Sequence, residues 1–220
     1  MATTGQQATT SSTNKTNKKR PHKKRRKLAL DSKIKGKYSA GVLPISYTVD
    51  GSGSQHWWIL LSIETREEGD CIHPLAGKKE EIDEDSPIKT ATREFHEETM
   101  GLYSTIPMED LLSISASNGH YIYIEYSKMF FTPVLLPYSP HIYTLSDALV
   151  RSGKKGSRLF WAPLSDFLKY KQDIMISLGD EIIRPSGICK EWYGNASLIN
   201  VIVNYKNYLS QLFIHSTTSA

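Results

Sequence analysis

The stretch that decides how this chain is read runs Gly77-Lys78-Lys79-Glu80-Glu81-Ile82-Asp83-Glu84-Asp85-Ser86, then from Pro87 to Thr92, then Arg93-Glu94-Phe95-His96-Glu97-Glu98-Thr99-Met100-Gly101-Leu102. Ser86 is a good helix N-cap and Pro87 suits the first helical position, so a helix is expected over 86–99. Gly101 supplies the stop signal. Residues three and four apart share a helix face, so Glu94, Glu97 and Glu98 lie together. Phe95, with Ala91 and Ile88, would face a core on the other side. Three neighbouring carboxylates repel one another and weaken an isolated helix. The pattern makes sense when a hard cation such as Mg²⁺, which prefers oxygen ligands and phosphate co-ligands, sits among them. The competing reading is an ordinary solvated acidic face.

This stretch resembles the Nudix box, Gly-x5-Glu-x7-Arg-Glu-U-x-Glu-Glu-x-Gly-U, where U is a bulky apolar residue. The second half is carried by Arg93-Glu94-Phe95-His96-Glu97-Glu98 and then Gly101-Leu102. Leu75-Ala76-Gly77-Lys78 resembles the usual Pro-Gly-Gly-Lys entry, and Trp161-Ala162-Pro163-Leu164 a late Trp-Val-Pro-Leu segment. The likeness spans roughly Lys37 to Phe213, strong in the box and weak elsewhere. It departs in two places. Seven residues, not five, separate Gly77 from Asp85, so Asp83, Glu84 or Asp85 stands for the first acid. One extra residue separates Glu98 from Gly101.

The resemblance implies an α/β fold, a Nudix-type three-layer α/β/α sandwich with a mixed sheet. It implies a Mg-dependent pyrophosphohydrolase, with Mn²⁺ as substitute. Glu94, Glu97, Glu98 and the carbonyl of Gly77 would hold the metal. Arg93 would orient a carboxylate, and Glu94 or Glu98 would act as general base. Lys78 and Lys79 are candidates for substrate phosphates, although loop lysines are commonly just solvated. A further acid outside the box is sought among Glu125, Asp147, Asp180 and Glu181. Trp57 and Trp58 are candidates to stack on a base, with one at most facing the site because they alternate along a strand.

Working outward, residues 38–48 and 56–63 are β-prone, and Asp50-Gly51-Ser52-Gly53-Ser54 between them reads as a hairpin loop. Further strands are expected at 71–76, 111–116, 121–134 and 158–162, with a short helix at 163–169. Residues 137–157, rich in Pro, Ser, Gly and Lys, read as mostly irregular. A last helix near 196–213 carries the stripe Leu198, Val201 or Ile202, Tyr205, Leu209 and Leu212.

Hydrophobic residues at 39 % suffice for a core, and no apolar run is long enough for a transmembrane helix. Cys71 and Cys189 have no metal or disulfide spacing, which fits a reducing compartment. The net charge of +4 conceals an asymmetry: residues 1–37 hold 12 Lys or Arg against one acid, Asp31, and the remainder is formally −7. Residues 1–17 are Thr, Ser, Gln, Asn and Ala with almost no large apolar side chain, and Lys18 to Lys27 form a dense basic block. A disordered basic tail is therefore expected over 1–36, a Nudix domain over 37–214 and a disordered end over 215–220. The basic block reads as a nuclear-import address or as an arm for RNA phosphates, giving nuclear or cytoplasmic localisation. The expected substrate is a phosphoanhydride-containing nucleotide, with a capped RNA 5′ end in view. The alternatives are a small diphosphate (a diphosphoinositol polyphosphate, a dinucleoside polyphosphate, ADP-ribose or NADH) and a non-catalytic nucleotide- or RNA-binding module of the same fold.

Overall fold

The computed structural model describes residues 36–67, 69–168, 176–178, 181–183, 187–188 and 196–217. The basic block and Cys189 lie outside these described residues. The first hairpin forms as expected. Strand β1 (Ser39–Val49) pairs antiparallel with β2 (Gln55–Arg66), and Asp50 closes the loop by accepting from Ser52 and Ser54.

The expected single strand at 71–76 is two strands, β3 (Gly69–His73) and β4 (Leu75–Lys78), divided at Pro74. The break has a topological cause. On one edge of β1, β2 pairs with residues 45–49 and β4 with residues 39–42, while β6 (Met129–Leu135) runs parallel along the other edge. On β2, β3 shares the edge used by β1, because β7 (Arg158–Pro163) covers the opposite one. Strands β1 and β2 therefore splay after the pair Ile45–Ile59, and the β3–Pro74–β4 segment fills the split. With β5 (Ile122–Ile124) beyond β6 and β10 (Gly187–Ile188) parallel to β3, the sheet has, among the described residues, eight strands in mixed directions. Strands β8 (Ile176–Leu178) and β9 (Glu181–Ile183) form a separate pair.

Helix α1 (Pro87–Glu98) matches the reading of its caps: Ser86 accepts from the Lys89 N–H, Pro87 opens the first turn, and Ala91 and Phe95 are buried. The strand expected at 111–116 is instead helix α2 (Met108–Ser117). Strand alternation would put Leu112 and Ile114 on one face, yet Leu112 is fully buried and Ile114 is 59 % exposed. The burial of Met108, Leu112, Ser115 and Ala116 follows the helical period. The strand expected over 121–134 is the β5–β6 hairpin, turned at residues 125–128 with Lys128 at φ 52°. The segment expected to be irregular holds α3 (Ile142–Arg151), whose buried Ser146 hydroxyl accepts from the Leu159 N–H and fastens the helix to β7. Helix α4 (Leu164–Leu168) and helix α5 (Ala196–Thr217) complete the fold. Ile202, not Val201, continues the α5 stripe, and Leu212 is 48 % exposed rather than core.

Two apolar cores result. One lies between the sheet and α1, α2 and α3, around Leu60, Phe95, Leu112 and Ile142. The other lies between the sheet and α4 and α5, around Ile59, Phe131, Phe167 and Ile202. The chain is thus a three-layer α/β/α arrangement with a mixed sheet, as expected. No described helix is long and apolar enough to cross a membrane.

Candidate active site

The extra residues before α1 are absorbed by a single 3-10 turn, Glu81–Asp83, after which Glu84 and Asp85 adopt φ of 53° and 60°. This turn settles which acid faces inward. Asp83 is 2 % exposed, whereas Glu84 pairs with Lys89 at the surface and Asp85 with Lys79. Asp83 accepts from the Glu80 N–H at 2.8 Å and the Thr90 hydroxyl at 2.9 Å. Arg93 then donates to both its oxygens, from Nε and Nη2, each at 3.0 Å. Burial opposes the charge on Asp83, but these hydrogen bonds outweigh it and hold its pKa below the usual carboxylate value.

Arg93 is the hub of the site. Beyond Asp83 it donates to the Lys78 carbonyl at 2.7 Å and lies 2.9 Å from Glu94 Oε1 and 3.2 Å from Glu97 Oε2. One guanidinium thereby ties the end of β4 to two of the three helix carboxylates. Gly77 is the second fixed point. A Cβ there would stand 2.1 Å from Glu94 Cδ, so only glycine lets that carboxylate lie against the strand.

Glu98 lies one turn further along. It lines an open pocket of about 580 Å³ with Lys78 of β4, Glu64 of β2, His73 of β3 and Ser157. The pocket sits in the split of the sheet: Glu64 and His73 belong to the paired β2 and β3, and His73 Nε2 lies 3.1 Å from Glu64 Oε2. Burial pushes the Glu94 and Glu98 carboxyls above the usual value. The Arg93 charge counters this at Glu94, and the Ser157 hydroxyl counters it at Glu98, where Glu64 and Glu97 add repulsion.

The structure gathers Gly77, Lys78, Arg93, Glu94, Glu97 and Glu98 in one region. Lys79 is engaged with Asp85 and lies over the Tyr38 ring. Of the acids sought outside the box, Asp147 pairs with Arg151 on α3, Glu125 is in the exposed β5–β6 turn, and Asp180 lies outside the described residues. Glu181 is on β9, away from the eight-stranded sheet in pairing. The acid found in the pocket is Glu64, which sequence reasoning missed along with His73 and Ser157. One signal was present: Trp58, Leu60, Ser62 and Glu64 share a strand face, and that face turns polar at Ser62. Neither tryptophan lines this pocket. Trp57 contacts Tyr47 and Lys206, and Trp58 contacts Tyr138.

The donors fit a hard cation in their chemistry. All are oxygens, two of the carboxylates are disfavoured in their charged form by burial, and Gly77 leaves room for one of them. Among the described residues, no three His, Cys, Asp or Glu side chains are drawn together around one point.

Fold and site together define a mixed-sheet α/β domain whose first helix carries two half-buried carboxylates beside a split in the sheet. No family model and no curated protein matches the chain. Among solved structures it is similar to a MutT/Nudix family protein from Listeria innocua, at 11 % identity and a TM-score of 0.42, over 81 % of this chain and 99 % of that one.

Proposed function

We propose that this chain is a Nudix-type hydrolase that uses Mg²⁺ to cleave a phosphoanhydride in a nucleoside diphosphate-linked substrate. One observation carries the reading: Glu98 is a half-buried carboxylate whose side chain lines an open, polar pocket that also holds Lys78. Glu94, Glu97 and the Gly77 carbonyl would hold the metal, which when bound neutralises the diphosphate and acidifies water, and Glu98 is then left for the proton. The remaining work falls to the chain. Arg93 keeps Glu94 and Glu97 oriented, and Lys78 meets a substrate phosphate. Glu98 takes the proton from water as its oxygen bonds to phosphorus and the bridging P–O bond breaks. Two phosphate-ended products result. Glu98 lines the pocket beside Lys78, whereas Glu94 is held against the Arg93 guanidinium, which favours Glu98 over Glu94 as base.

Within this class, an RNA 5′ end is the substrate we favour. The described chain starts at Gly36, and Tyr38 already accepts from the Lys79 N–H at 2.9 Å. The basic block at 18–27 precedes β1 in sequence, and its charge suits the phosphates of a long substrate. On this reading the block serves RNA binding, and it can also serve nuclear import.

The test is a pooled reaction with Mg²⁺ containing capped RNA, dinucleoside polyphosphates, ADP-ribose, NADH and diphosphoinositol phosphates, read by mass spectrometry beside Glu98→Gln. Product from the parent chain alone supports catalysis and names the bond. Ligand binding without product from any substrate would replace the enzyme with a binding module.

A further inference from the structure

We infer that Ser157 is a positioning residue for Glu98, holding its carboxylate in one orientation at the pocket wall. The inference rests on the hydrolase reading for what Glu98 then does. The loop from Lys154 to Ser157 joins α3 to β7 and is fastened to the end of α1 at several points. Lys154 Nζ donates to the Met100 carbonyl at 2.6 Å, where a cation also meets the negative end of the helix. The Ser157 N–H donates to the Glu98 carbonyl at 3.1 Å. Gly156, at φ +149°, passes so close that a Cβ would lie 2.2 Å from Met100 Cγ and 3.0 Å from the Glu97 carbonyl oxygen.

These contacts anchor the loop to the helix end. The Ser157 hydroxyl reaches further and donates to Glu98 Oε2. That bond engages one carboxylate oxygen and leaves the other for chemistry. It is needed because a glutamate has three rotatable side-chain bonds, and because the charge of Glu64 repels Glu98. A donor on the loop side holds the carboxylate against both influences.

The experiment compares the full chain with Ser157→Ala, Ser157→Thr and Lys154→Ala by crystallography, thermal melting and steady-state kinetics. Ser157→Ala is expected to show Glu98 in more than one orientation. Its kcat on whichever diphosphate the parent cleaves should fall about tenfold, the scale of one missing charge-assisted hydrogen bond, with KM unchanged. Ser157→Thr keeps the hydroxyl and should restore kcat. Lys154→Ala loosens the same loop without touching the carboxylate and should lower Tm more than kcat. Glu98 unmoved in a folded Ser157→Ala, or a kcat equal to the parent's, overturns the inference. So does a folded Ser157→Thr that stays as slow as Ser157→Ala. A parent that cleaves no diphosphate sinks the hydrolase reading alone, and the orientation of Glu98 in the crystals still decides the role of Ser157.

Discussion

Arg93 grips Asp83 with two hydrogen bonds of 3.0 Å, across ten residues of sequence, and it does so where Asp83 is only 2 % exposed. The same guanidinium reaches the Lys78 carbonyl, Glu94 and Glu97. The pair therefore joins the 3-10 turn, the end of β4 and helix α1. Its value for stability lies mainly in what happens when it is broken, because Asp83 without Arg93 would be a buried, uncompensated charge.

Arg93→Met should accordingly destabilise the fold by about 3–5 kcal/mol. For a domain of this size that lowers Tm by roughly 10 °C. The double variant Arg93→Met, Asp83→Leu should recover part of the loss, since it leaves neither charge unpaired. Calorimetric melting of the two variants beside the parent checks this, and a double variant less stable than the single one would contradict it.

Acid should act on the site in two opposite directions. Asp83 has a lowered folded pKa, so its contribution is present above the unfolded value of about 3.9 and is lost as pH falls through the folded value. Glu94 and Glu98 have raised folded values, so their ionisation costs stability, and that cost disappears when acid neutralises them. Glu98→Gln should thus raise Tm at pH 7 and leave Tm unchanged in acid where Glu98 is already neutral. Melting curves from pH 3 to pH 8 test both signs.

Gly77→Ala puts a methyl group where the Glu94 carboxylate lies. That carboxylate is the far end of a flexible side chain, so the variant should still fold, losing about 1 kcal/mol or less. Its Mg²⁺-dependent turnover should drop at least about tenfold, the effect of moving one group out of productive geometry. Turnover equal to the parent's, with Tm unchanged, would show that the position of Glu94 does not matter.

Neutralising the Lys and Arg residues between 18 and 27 should weaken binding of a long RNA and flatten its salt dependence, by about 0.7 in log–log slope for each phosphate of a single strand that the block no longer neutralises. Cleavage of a small dinucleotide should be unaffected. Equal salt slopes in filter-binding titrations would assign the block to some task other than RNA binding.

Much of α1 was written in local sequence. Ser86, Pro87 and the buried Ala91 and Phe95 fix where it starts and which face packs, because capping and helical periodicity act within a few residues. The first hairpin was legible for the same reason, since Asp50 to Ser54 close a turn between two β-prone runs. Helices α2 and α3 were not: their apolar residues are short runs that suit either period, and only packing on β6 and β7 selects the helix.

The sequence by itself also determined the chemistry available: three carboxylates on one helix face, an arginine before them and a glycine ahead of the helix. Tertiary structure alone decided the rest. It chose Asp83 over Glu84 and Asp85 as the partner of Arg93, since only the folded 3-10 turn shows which acid is buried. It also brought Glu64, His73 and Ser157 to Glu98 from as far as 59 residues away in the chain, through the splaying of β1 and β2 and the anchoring of the loop before β7. Local rules act over a turn or a strand, whereas such meetings depend on which edges pair, and that is fixed by the burial of the whole core.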